Sequence, residues 1–154
     1  MLKRFFLAIS LIAPGTAIAA DSVSLSSNVY VERKVAKSDG TTAVVLEQPT
    51  TVIPGDQLVF VVKYKNVGSA PASEFSVTNP LPKAVAFNGT SDGTEIVSVD
   101  GGKTWGPLSA LTYPSENGDV RPALMTDVTH LKWKFNRSLS VGSEGELVFR
   151  GTVK

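Results

Sequence analysis

The sequence contains no cysteine and only one histidine, His130. Without a thiol there is no disulfide framework, no thiol nucleophile and no thiolate metal site. A single imidazole excludes any multi-histidine metal centre. Neither sign of charge prevails: 15 Lys and Arg stand against 14 Asp and Glu, for a formal net charge of +1. That balance gives no electrostatic footprint for nucleic acid or an anionic membrane. No Gly-rich phosphate loop sits between a strand and a helix, so nucleotide binding has no support. What the chain does contain is 42% hydrophobic residues, with 13 Gly and 9 Pro. This is too apolar for a disordered chain, and 154 residues suit a single domain.

Residues 1–20 read as an address. Lys3 and Arg4 precede the apolar run Phe5 to Ala13, Pro14-Gly15 break it, and Ala17-Ile18-Ala19 supply small residues. The pattern is that of a cleaved secretory signal, with cleavage after Ala19 or Ala20. A membrane anchor needs roughly 20 apolar residues, and Pro14-Gly15 interrupts too early. No second apolar run follows, so no membrane span is expected in the mature chain. Removing the signal leaves residues 21–154, with 13 basic and 14 acidic groups. A domain of that size buries about two-thirds of its unfolded surface and folds without disulfides.

Period-two alternation dominates the remainder. Val23, Leu25, Val29 and Val31 alternate with polar residues. Leu58, Phe60, Val62 and Tyr64 share one face, with Lys63 and Lys65 on the other. Leu131, Trp133 and Phe135 alternate with His130, Lys132 and Lys134, while Leu147, Phe149 and Val153 alternate with Glu146, Arg150 and Thr152. Each segment predicts a strand with one buried and one wet face. Phe60, Tyr64, Trp133 and Phe149 are the expected core. Shorter strands fit 42–47, 74–78, 84–87 and 94–99. Asp39-Gly40 and Asn88-Gly89 suit tight turns. Pro107, Pro114 and Pro122 suggest a long loop over 108–127 with at most one short strand. Short strands between turns imply an all-β fold, a single antiparallel β-sandwich domain.

Several segments resemble a known pattern. Pro54-Gly55-Asp56 leads a strand ending in Tyr64-Lys65-Asn66-Val67-Gly68-Ser69-Ala70-Pro71-Ala72. Val77-Thr78-Asn79-Pro80-Leu81-Pro82 follows, then Trp133, Leu139, Gly142 and Leu147-Val148-Phe149. From Pro49 to Lys154 the chain is similar to the conserved repeat of bacterial exported and cell-surface proteins known as the "domain of unknown function eleven" family. That resemblance implies an immunoglobulin-like sandwich. The family usually carries Asp at the position of Asn79 and usually occurs in tandem copies. In this pattern Gly68 is expected to supply left-handed backbone at the strand exit, and Pro80 and Pro82 an extended connector.

The sharpest short motif is Ser98-Val99-Asp100-Gly101-Gly102-Lys103-Thr104-Trp105. It has the form Ser-x-Asp-x-Gly-x-Thr-Trp and resembles the Asp-box hairpin of sialidase propellers. A propeller needs at least four blades, and one copy supplies none. The expected role of Ser98, Asp100, Gly102, Thr104 and Trp105 is therefore structural, a hairpin closed by side-chain to backbone hydrogen bonds. His130, beside Asp127 and Thr129, is expected to face solvent with Lys132 and Lys134, with nothing to orient it for catalysis. Asp92, Asp100, Asp119 and Asp127 lie in loops without calcium-loop spacing and are expected as turn carboxylates. Asn88-Gly89-Thr90 and Asn136-Arg137-Ser138 match a glycosylation sequon but are read as turn chemistry. Trp105 and Tyr113 are the candidate exposed aromatics.

The expectation is thus an exported, non-catalytic domain of the bacterial cell envelope, structural or protein-binding, located in the periplasm or outside the cell. No cofactor or metal is expected, and the partner is an unknown protein of the envelope. Two alternatives stand beside it. A pilin-like subunit would assemble by strand addition, cued by the 23–31 alternation, and a carbohydrate-binding module is cued by Trp105 and the Asp-box.

Overall fold

The alternating segments form antiparallel strands in the computed structural model, which describes residues 23–115 and 117–154. The expected signal segment lies outside the described residues. In chain order the strands are β1 (Val23–Ala36), β2 (Thr42–Glu47), β3 (Gln57–Asn66), β4 (Ser76–Pro80) and β5 (Val85–Thr90). They continue with β6 (Ile96–Ser98), β7 (Thr112–Pro114), β8 (Val120–Pro122), β9 (His130–Lys134) and β10 (Glu144–Val153). One sheet has the order β2-β1-β3-β10-β5 and a second β4-β9-β6, while β7 and β8 form a separate ribbon. The chain is an all-β antiparallel sandwich. In an immunoglobulin constant domain the last strand joins the second sheet; here β10 runs between β3 and β5.

Register decides which side chains are buried. Paired residues of antiparallel strands share a face, so Val29, Phe60 and Phe149 form one inward row and Ser27, Val62 and Leu147 the next. Phe60 and Phe149 stack with centroids 4.5 Å apart and planes 1° from parallel. Trp133 reaches them from β9, 6.1 Å from Phe149, and these three aromatics join the two sheets in one core with Val77, Val97 and Leu131. Tyr64 lies at the rim. It is half-buried and packs edge-on against Phe135 at 5.0 Å, and Phe135 in turn stacks on Phe75 at 4.3 Å.

The outward rows carry charge: Lys63 meets Glu146 at 3.2 Å, and Lys65 meets Glu144 at 3.1 Å. Exposed pairs of this kind contribute about 0–1 kcal/mol each; they favour one register more than they add stability. Val59 is an exception to the wet face. It is buried on the outer side, between Tyr30 and Arg150 of the neighbouring strands.

One expected strand proves longer than its alternation shows, and three local expectations change. The 23–31 alternation is the first half of β1 and pairs with β3 from Val23↔Asn66 to Val31↔Leu58. Asn88-Gly89 is not a hairpin turn but a bulge in β5: the pairing jumps from Phe149↔Thr90 to Gly151↔Phe87, with Gly89 at φ +104°. Such a bulge inserts an unpaired residue and needs the left-handed backbone that glycine provides. Residues 108–127 hold two 3-10 turns, Leu108–Ala110 and Met125–Asp127, and the β7–β8 hairpin. Gly68 does not take the left-handed backbone; the strand exit is closed by Asn66, whose Oδ1 accepts the Gly68 N–H at 2.9 Å.

Candidate functional site

The Asp-box segment leaves the second sheet at β6, an edge strand, and returns at once. Val97 N–H donates to Gly106 C=O at 2.9 Å, and Gly106 N–H donates back at 3.1 Å. Between these anchors the chain turns through Gly101 (φ +80°) and Gly102 (φ +88°), a backbone that side-chain-bearing residues rarely adopt.

Asp100 fills the loop. Its Oδ1 accepts the Ser98 hydroxyl at 2.7 Å and the Lys103 and Thr104 N–H groups, each at 3.0 Å. Its Oδ2 accepts Thr104 Oγ1 at 2.7 Å and the Thr104 N–H at 3.1 Å. Ser98 is fully buried, and its hydroxyl oxygen also accepts the Gly102 N–H at 2.9 Å. Hydrogen bonds from Thr104 backbone and side chain, then from Ser98, hold the Asp100 carboxyl well below the usual carboxylate range. A carboxylate offers about four lone-pair positions, and the loop's own donors occupy them. The group is thus an internal acceptor of its own loop.

Trp105 closes the far side, its Nε1–H donating to Gly102 C=O at 2.9 Å. The Lys132 ammonium lies 3.7 Å from the centre of the indole, a cation–π contact that covers one face. His130 meets the same ring edge-on at 6.2 Å. It is thus half-buried beneath Trp105 rather than directed to solvent. Its Nδ1 is 3.0 Å from Thr129 Oγ1. Asp127 is turned away from it: both carboxylate oxygens receive Arg121, at 2.7 and 2.8 Å, and one also caps the Leu124 N–H. Among the described residues no carboxylate is hydrogen-bonded to the imidazole.

Thr129 belongs to the site although the motif does not contain it. Its N–H donates to Ser98 C=O at 2.8 Å, and its hydroxyl accepts the Gly101 N–H at 3.1 Å. Lys132 is a second residue absent from the motif. No short-range signal marks either, because both come from β9 and its approach, some thirty residues downstream.

The remaining candidates lie apart. Asp92 accepts Thr94 Oγ1 at 2.7 Å in its own turn. Among the described residues no group of three or more His, Cys, Asp or Glu is arranged to hold a metal ion. Tyr113 carries the Arg121 guanidinium 5.0 Å from its ring centre. The Asn88 amide bonds Gln57 Oε1 at 3.0 Å on the sheet surface. An apolar groove of about 370 Å³ opens where the Pro49–Val52 loop crosses the inner face beside Leu58, Phe60, Val85 and Val153. Among the described residues no helix is long and apolar enough to cross a membrane.

Comparison with protein-family models, with curated proteins and with solved structures gives no match.

Proposed function

We propose that the chain is an exported, non-catalytic domain of the bacterial cell envelope, structural or protein-binding. One observation carries this reading: the residues richest in chemistry are occupied by the fold. The Asp100 oxygens receive Ser98, Lys103 and Thr104, and His130 lies under Trp105 with only Thr129 at its Nδ1. Exposed apolar side chains lie at the sheet margin, on Val35, Val44 and Leu46, as well as in loops, on Ile53, Val67 and Val141. The signal pattern over residues 1–20 supports export. The resemblance to the exported repeat family, resting on the residues quoted for it alone, supports a place in the envelope.

The alternatives have less to stand on. In strand addition through residues 23–31 the side toward β3 is already taken, because that segment pairs with β3 in its own sheet. Sugar stacking on Trp105 competes with the Lys132 ammonium 3.7 Å above the ring.

Cell fractionation with N-terminal sequencing tests the reading. The expected product starts at Ala20 or Asp21 and is recovered outside the cytoplasm. An intact Met1 on a cytoplasmic or membrane-embedded product contradicts it.

A further inference from the structure

β3 pairs with β1 only as far as Val31↔Leu58, yet β1 continues to Ala36. Over that extension its only strand partner among the described residues is β2, in a continuous register from Val31↔Glu47 to Ala36↔Thr42. The two strands form an arm beyond the rest of the sheet, and β2 is its outer edge. Open edges of natural sheets are usually blunted by Lys, Pro or a bulge. Thr42-Ala43-Val44-Val45-Leu46-Glu47 has none of these, and Val44 and Leu46 are 58% and 51% exposed.

The hydrogen-bonding state of the edge follows from the turn. Lys37 N–H donates to Thr41 C=O at 2.7 Å. Bonded pairs alternate along an antiparallel ladder, so Val35–Ala43 and Arg33–Val45 are bonded pairs. The N–H and C=O groups of Val44 and Leu46 therefore point away from β1, toward the open side.

We propose that this edge pairs with the β2 edge of a second copy of the chain, antiparallel about a two-fold axis through Val45. This rests on the interaction reading above and names the partner. Only a register centred there sets Val44 opposite Leu46 of the other copy, in a bonded pair, and Leu46 opposite its Val44, in another. Val45 faces its own equivalent in the non-bonded site between them. The charges do not oppose this register, and Glu32 also meets Arg150 of its own chain at 3.3 Å. On the outer face β1 sets Lys34 beside Val44 and Glu32 beside Leu46. The two-fold then places Lys34 of one copy in the same row as Glu32 of the other, and Glu47 opposite Ala43. No like charges meet across the junction, and the four apolar side chains Val44, Leu46 and their mates form one patch.

Sedimentation of the purified mature protein over a range of concentrations, together with thiol cross-linking, tests this. A monomer–dimer equilibrium is expected, and Val44→Lys or Leu46→Lys should weaken it at least about tenfold by placing like charges at the edge. Val120→Lys, on the exposed β7–β8 hairpin, should leave it unchanged. The chain has no cysteine, so Val45→Cys introduces a single thiol that faces its mate, and oxidation should yield a covalent dimer. Ala43→Cys, set opposite Glu47, should not cross-link. A monomer at every concentration, a dimer indifferent to Val44→Lys and Leu46→Lys, or equal cross-linking through Ala43→Cys and Val45→Cys would each overturn the proposal. None of these results bears on export, which fractionation decides separately.

Discussion

Asn66 Nδ2 donates to Leu139 C=O at 2.9 Å, joining two residues 73 positions apart. The same amide nitrogen donates to Ala70 C=O at 2.9 Å, while Oδ1 receives the Gly68 N–H. The Asn66 backbone adds two further bonds, to Ser143 C=O and from Gly142 N–H, each 2.9 Å. The side chain is completely buried. It thus ties the end of β3 to the entry of β10 and to the loop toward β4. Asn66→Ala leaves the Ala70 carbonyl and the Gly68 N–H without these partners, while the Leu139 carbonyl keeps the Ala72 N–H at 2.9 Å. Such groups cost about 1–3 kcal/mol each when buried; with both partly exposed here, a loss of about 1–3 kcal/mol in total is expected in urea unfolding. Asn66→Asp should be worse at neutral pH, because a carboxylate then faces the carbonyls of Ala70 and Leu139. Its deficit should shrink in acid as the carboxyl gains a proton.

The inward aromatics and the outward lysines of β9 should separate clearly in stability. Phe149→Ala and Trp133→Ala remove fully buried rings and should each cost about 3–5 kcal/mol. Lys134→Ala, on an exposed residue, should stay within about 0.5 kcal/mol. Lys132→Ala should fall between them, at about 0.5–1 kcal/mol, because it removes the cation over Trp105. Guanidinium titrations of the four variants check the order.

These residues also show what can be read along the chain. Alternation placed Phe60, Trp133 and Phe149 on inward faces, since a side chain's face depends only on its neighbours in sequence. The Ser98–Trp105 motif was legible for the same reason, as its bonds nearly all span four residues or fewer. Thr129 and Lys132 were not legible, because their contacts with that loop depend on β6 and β9 pairing. Asn66 illustrates the limit best. Its motif is visible, but its role needs Leu139 nearby, so sequence alone points to Gly68 at that turn. His130 failed likewise: strand parity gave its face, but not the Trp105 ring that returns over that face.

Acid sensitivity should follow the depressed carboxyls. Hydrogen bonds lower Asp100, the Arg33 guanidinium lowers Asp56, and the Arg121 guanidinium lowers Asp127. Because the folded values lie below the unfolded ones, these groups stabilise the fold fully above about pH 4, the ordinary carboxylate range. The contribution fades as the pH falls through the depressed values. The Tm should therefore be nearly flat with respect to these groups from pH 5 to 7 and should drop steeply below about pH 4. Asp127→Asn should shallow that drop. A Tm that rises on acidification would contradict the assignment.

The central claim is that the Asp100 loop is a structural clasp rather than a binding or catalytic site. The most direct measurement is thermal unfolding of the wild type and Asp100→Ala, read beside a glycan array and a sialidase assay. The clasp predicts a Tm lowered by roughly 3–8 °C, as expected for the loss of several turn hydrogen bonds in a domain of this size. It also predicts neither glycan binding nor hydrolysis by the wild type. An unchanged Tm together with sugar binding or turnover that disappears in Asp100→Ala would contradict it.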